Sequence, residues 1–104
     1  MALGMTLLLA TTVWSAPLRL TPEEMLCRKG GEFIAAIIIA RDFGTILTDA
    51  IRNIRREVPR IFPDLSRAST TRITEEIVDV TRTLYIATAI TPHMGRYAFE
   101  VGCL

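Results

Sequence analysis

The sequence has few of the residues that build metal and catalytic sites. Its 104 residues include one His, two Cys and one Trp, and aromatic residues make up 7% of the chain. One His and two Cys cannot supply the four ligands of a conventional zinc site unless carboxylates complete the set. The chain also lacks a recognisable Ser, His and Asp arrangement or a pair of catalytic carboxylates. We therefore expect no metal, no cofactor and no catalytic residues.

The sequence also lacks an excess of either charge. It contains 12 Lys and Arg against 11 Asp and Glu, so the formal net charge is +1. A protein that holds a nucleic-acid backbone usually carries a basic excess, and a DNA or RNA partner is therefore not expected. Half of the residues are hydrophobic and 22% are charged, which is typical of a folded chain, and the length allows at most one domain.

The first 16 residues are typical of a signal peptide. Residues 3–14 carry no charge, and the small residues Ser15 and Ala16 follow them. An uncleaved anchor is the alternative, but Arg19 ends the apolar run before the roughly 20 residues that span a bilayer. We expect residues 1–16 to be cleaved, and residues 17–104 to form a single helical domain without a stable membrane span. The expected location is periplasmic or secreted.

Helical periodicity dominates the rest of the chain. Four segments after position 20 repeat apolar residues at spacings of three and four, and none alternates strictly, so we expect an all-α fold. Thr21 and Pro22 are typical of a helix start, as are Thr91 and Pro92, and Gly44 is typical of a helix end. The four expected helices run from Pro22 to Gly44, over 46–58 with Pro59 as the stop, over 72–89, and from Pro92 to Gly102.

The apolar spacing also predicts which face of each helix is buried. Four short helices joined by tight turns predict a compact bundle with these faces inside. The expected inward residues are Cys27, Gly31, Ile34 and Ile38 in the first helix, Leu47, Ile51, Ile54 and Val58 in the second, Ile73, Ile77, Val80 and Leu84 in the third, and Met94, Tyr97, Ala98 and Val101 in the fourth.

The two cysteines lie near opposite ends of the expected domain. In an exported chain, Cys27 and Cys103 predict a disulfide that closes the bundle. Closing a loop of about 77 residues contributes at most about 4.5 kcal/mol, which is large for so small a core. A free thiol pair, an intermolecular bridge and a nucleophile are the alternatives, and the last would have only His93 as a base.

Arginine is concentrated in one region. Six arginines lie within 21 residues, and only Glu57 and Asp64 oppose them there. The functional hypothesis is that this stretch binds an anionic partner, such as lipid headgroups, a cell-wall polymer or an acidic protein surface. A solvated surface is the alternative. Acids at the expected start of the third helix, Glu75, Glu76 and Asp79, could also neutralise the arginines. The candidate binding residues are Arg52, Arg55, Arg56 and Arg60.

Three further residues have predicted structural roles. Gly30 and Gly31 each cost a helix about 1 kcal/mol, so we expect another helix or the disulfide to pack closely against them. Asp42 lies near the negative end of the first helix dipole, which is unfavourable. It therefore needs a partner, such as the start of the second helix or a distant arginine.

Several of these features together resemble small exported, two-cysteine, all-helical proteins of Gram-negative bacteria, a loose group of unknown function. They are Cys27, the sequence ARDFG at residues 40–44, Leu84 with Tyr85, the Thr91-Pro92 pair and Cys103. The resemblance implies a periplasmic bundle and no particular activity. Because the sequence shows no catalytic residues, we expect a binding or interaction protein. An envelope stress chaperone and a toxin-neutralising immunity protein are alternatives by analogy.

Overall fold

The computed structural model describes residues 21–103. This part of the chain forms four α-helices and no strand: α1 (Pro22–Asp42), α2 (Leu47–Ile61), α3 (Arg67–Ile86) and α4 (Pro92–Cys103). The predicted all-α bundle of four helices is confirmed. The predicted signal peptide lies outside the described residues.

Both ends of α1 follow from local sequence. The Thr21 hydroxyl oxygen accepts a hydrogen bond from the backbone N–H of Glu24 at 3.1 Å, and Pro22 occupies the first turn. At the other end, Gly44 adopts a φ of 100°, which a side chain would disfavour. The N–H of Thr45 reaches back to the Ala40 carbonyl at 2.9 Å and completes the cap. The predicted stop at Gly44 is confirmed.

The expected end of α2 at Pro59 is wrong, because the helix continues to Ile61. A proline in the last turn removes only one backbone hydrogen bond, to the carbonyl four residues earlier, and its fixed φ suits a helix. The N–H of Phe62 then bonds the Val58 carbonyl at 3.0 Å, and the Phe62 side chain is buried. Burial of this ring offsets the bond that Pro59 cannot make.

The bounds expected for α3 are also wrong. The helix begins at Arg67 rather than near residue 72 and ends at Ile86 rather than near residue 89. The Ser66 hydroxyl accepts from the N–H of Ser69 at 3.2 Å, so Ser66 caps a helix that begins before its first strongly apolar residue, Ile73. The acids Glu75, Glu76 and Asp79 therefore lie in the middle of α3, not at its start.

Helix α1 is the centre of the bundle. It packs against all three other helices, α2 packs mainly on α3, and among the described helices α4 packs on α1 alone. The buried core that joins α1, α2 and α3 contains Ile34, Ile37, Ile38, Ile54, Val58, Phe62, Ile77, Val78 and Leu84.

Small residues bring α1 and α4 close together. A Cβ on Gly31 would lie 2.6 Å from the Glu100 Cγ, and one on Gly30 would lie 2.7 Å from the Phe99 Cζ. The close packing predicted at this glycine pair is therefore confirmed. The disulfide between Cys27 and Cys103 joins the same two helices, with their Cα atoms 5.6 Å apart. This confirms the predicted pairing.

The inward face predicted for α4 is wrong. Gly95 is its one buried residue, and Met94, Tyr97, Ala98 and Val101 are exposed. Glycine has no apolar side chain, so a periodicity analysis does not mark the face where it allows contact. The C-terminal bound differs as well, because α4 continues through Gly102 to Cys103.

The face predicted for α3 is wrong in part. Ile77 and Leu84 are buried as expected, but Val80 is 38% exposed and Thr81 is fully buried. The Thr81 hydroxyl donates to the Ile77 carbonyl at 2.7 Å, and Thr74 makes the same bond to the Thr70 carbonyl. A threonine whose hydroxyl is satisfied within its own helix can present a methyl group to the core.

Candidate functional site

The four candidate arginines lie on the outer side of α2. The helix buries Ala50, Ile54 and Val58 against the core, and the arginine positions alternate with this stripe. All four side chains are exposed, from 48% for Arg55 to 71% for Arg52. We call the surface made by Arg52, Arg55, Arg56 and Arg60 the arginine face.

Three of these arginines have carboxylate neighbours on α2 itself. Arg52 lies 3.2 Å from the Asp49 carboxylate. Glu57 forms ion pairs with two arginines, because its Oε1 lies 3.2 Å from the Arg56 Nε and 3.6 Å from the Arg60 Nη1. One carboxylate thus lies between two guanidinium groups, which leaves positive charge unbalanced at this end of the helix.

The fourth arginine pairs across the helix interface. The Arg55 Nη1 donates to the Glu75 Oε1 on α3 at 2.5 Å. This hydrogen bond lowers the pKa of the Glu75 carboxyl; partial desolvation opposes the shift, and the charge of Arg55 adds to it. The same bond raises the pKa of the Arg55 guanidinium. Of the three acids expected to neutralise the arginines, Glu75 does so, whereas Asp79 pairs with Arg82 within α3.

The ion pairs of the arginine face are exposed and therefore weak. Exposed pairs add little to stability because water and salt screen them. Carboxylates of a partner protein can therefore replace the internal carboxylates beside these arginines, because little stability is lost when the internal pairs break. The guanidinium groups are therefore available to carboxylates of an external partner.

A cleft of about 520 Å³ opens beside the arginine face, where α2 and α3 meet. Arg55 and Arg67 line it, together with Phe62 and Pro63 from the connection between the helices. Arg67 makes no ion pair within residues 21–103. The cleft therefore adds a cation that the sequence analysis left outside the candidate set.

Arg41 has a role that the sequence analysis missed. Its side chain is only 7% exposed, and its guanidinium donates to the carbonyls of Leu84 at 2.7 Å, Thr88 at 3.2 Å and Ile90 at 2.9 Å. It also bonds the Asp42 carboxylate at 2.8 Å. Asp42 therefore has a partner, as expected, but the partner is the preceding residue and neither the start of α2 nor a distant arginine. Arg41 ties the end of α1 to the connection between α3 and α4.

The other candidate chemical groups have structural surroundings. The Tyr85 hydroxyl donates to the Thr45 carbonyl at 2.6 Å, and burial raises the pKa of this phenol while the charge of Arg41 opposes the shift. His93 is exposed on α4. Within residues 21–103, no three His, Cys, Asp or Glu residues are grouped so as to hold a metal ion. In the same range, no helix is long and apolar enough to cross a membrane.

No protein-family model, curated protein or solved structure matches this chain. The resemblance to exported two-cysteine proteins therefore stays a prediction. The function must be argued from the residues and their geometry.

Proposed function

We propose that this protein is an exported interaction module, not a catalyst, and that its arginine face binds the acidic surface of a partner protein. One observation carries the proposal: four exposed arginines share one side of α2, and Arg55 and Arg67 line the cleft beside it. Such a surface attracts anions and guides their approach.

The location rests on two features of the chain. The Cys27–Cys103 disulfide is typical of an oxidising compartment, since cytosolic proteins rarely keep such bonds. The uncharged stretch 3–14 is typical of an export signal. Together they favour the periplasm or the extracellular medium.

The present partners of the arginines indicate what kind of anion binds. Each arginine of the face lies beside a carboxylate of Asp49, Glu57 or Glu75. An acidic protein surface offers the same side-chain carboxylates, so it can replace these weak pairs without changing the geometry. Lipid headgroups offer mainly phosphates, and we treat them as an outcome of the test.

Binding should weaken with salt, because both the arginines and their partner groups are exposed. The direct test compares the binding affinity of two variants. One carries both Arg52→Ala and Arg56→Ala, and the other carries Arg28→Ala alone. Arg28 is a matched control because it is exposed to 57%, close to the 58% of Arg56, and also pairs with a glutamate of its own helix.

The probes are poly-glutamate as a model acidic protein surface and vesicles that contain anionic lipid. We expect calorimetry to show salt-sensitive binding of poly-glutamate by the parent protein and by Arg28→Ala. The double variant should bind at least about tenfold more weakly, since two charge-assisted contacts are lost. Equal binding by all three proteins, or binding of the vesicles alone, would contradict the proposal.

A further inference from the structure

A second surface of the bundle is apolar. The backbones of α3 and α4 pack on α1 but not on each other, which leaves a groove of about 740 Å³ between them. We call it the α3–α4 groove. Its lining is mostly apolar or small and includes Val80, Ile90, Met94, Ala98 and Gly102.

Both walls expose apolar side chains that the fold does not use. Val80 on α3 is 38% exposed and Met94 on α4 is 53% exposed. Ala98 and Gly102 lie one helical turn apart on α4, and their small size means that little side chain projects from the α4 wall there. A Cβ added at Gly102 would meet nothing within 4 Å, so another backbone can approach the groove there.

Among residues 21–103, one charged side chain lines the groove. Glu76 is the single ionisable group among its lining residues, and it makes no ion pair with any residue from 21 to 103. Residues 87–91 join the end of α3 to the start of α4, so Thr83 and Ile90 lie at one end of the groove. Glu76 and Cys103 lie at the other end.

From these features we infer that the α3–α4 groove binds one amphipathic helix of a partner protein, which places a lysine or arginine beside Glu76. The twelve residues of α4 span about 18 Å, enough to contact three turns of a helix. Val80 and Met94 would contact its apolar stripe. An anionic lipid surface fits less well, because Glu76 would repel it and the described residues that line the groove include no basic one.

This site is independent of the proposed function. Its lining shares no residue with the arginine face or with the cleft beside it, and it selects a cationic partner where the arginine face selects an anionic one. The two proposals can therefore fail separately.

The test uses the oxidised protein and two synthetic helical peptides of 14 residues. Both carry leucine at positions i, i+3, i+4 and i+7, and they differ in having lysine or glutamate next to this stripe. We expect fluorescence anisotropy to show tighter binding of the lysine peptide. Glu76→Lys should reverse the preference between the peptides, whereas Asp79→Lys, a charge reversal next to Arg82 on the same helix, should not.

A steric variant tests the location. Gly102 lines the groove and a Cβ added there would meet nothing within 4 Å, so Gly102→Leu should fold and should bind the lysine peptide at least about tenfold more weakly. Ala36→Leu adds the same side chain at an exposed position of α1 and should bind normally. The inference is overturned if the lysine peptide does not bind, if Gly102→Leu binds it as the parent does, or if light scattering shows a second copy covering the groove.

Discussion

The guanidinium of Arg41 donates a hydrogen bond to the Leu84 carbonyl at 2.7 Å, across 43 positions of sequence. This contact places a cation where α3 ends and its last carbonyls have no helical partner. Through Ile90 the same side chain also holds the connection that leads into α4. One arginine therefore links the end of α1 with the α3 wall of the α3–α4 groove and with the connection at one end of the groove.

Arg41→Ala should destabilise the protein by about 2 to 3 kcal/mol, because it leaves partly buried carbonyls without a donor. Urea unfolding followed by circular dichroism measures the change. Arg28→Ala removes an exposed arginine from the same helix and should change the free energy of unfolding by less than about 0.5 kcal/mol. Equal effects of the two substitutions would contradict the role given to Arg41.

Removing the disulfide should act first on α4. Replacing Cys27 and Cys103 by alanine should cost up to about 4 kcal/mol of stability. Since α4 packs on α1 alone, its amides should lose protection against hydrogen exchange before those of α2 and α3. Mass spectrometry of exchanged peptides reads this directly. A uniform loss of protection over all four helices would show that α4 is not held separately.

Two glycines provide a matched pair for the α1–α4 contact. Gly31→Ala should destabilise by about 1 to 3 kcal/mol, because the new Cβ would lie 2.6 Å from the Glu100 Cγ and 3.1 Å from the Arg96 carbonyl oxygen. Gly102→Ala meets no atom and improves helix propensity, so it should be neutral or slightly stabilising. The thermal unfolding midpoints (Tm) of the two variants should shift in opposite directions or differ by several degrees.

Much of the fold could be predicted because the signals are local. The caps at Thr21 and Gly44 and the disulfide between Cys27 and Cys103 are visible in the sequence. The inward face of α4 was not predictable in the same way, because its one buried residue is Gly95, which has no side chain to mark that face in the sequence.

The candidate site was predicted only in part, for a related reason. The concentration of arginines on α2 is a property of the sequence, whereas the pair between Arg55 and Glu75 depends on how α2 and α3 pack. The same is true of Arg41, whose acceptors lie more than 40 residues away. The groove depends on the spacing of α3 and α4 over α1, which periodicity does not encode.

Acid should weaken the link between α2 and α3 only slightly. The folded state lowers the pKa of Glu75, so its contribution is present above the ordinary value of 4.5 and is lost as the pH falls through the lower folded value. Glu75→Gln should remove this part of the pH dependence of stability, and Glu76→Gln should keep it. The measurement is urea unfolding between about pH 3 and pH 6.

Measurements in the same pH range, without urea, also test the chaperone alternative. An acid-activated chaperone would lose its tertiary packing and bind the dye ANS as the pH falls. We expect the protein to keep its near-ultraviolet circular dichroism at pH 4.5 and to bind no additional dye. Loss of that signal with strong dye binding would favour the chaperone.

The most direct test of the account is an NMR titration of the oxidised, isotope-labelled protein with poly-glutamate. We predict that the largest shifts will occur at the side-chain Nε–H signals of Arg52, Arg55, Arg56 and Arg60 and at the amides of α2, and that added salt will reverse them. Shifts confined to α4 and the groove, or no shifts at all, would contradict the claim that the arginine face is the binding surface.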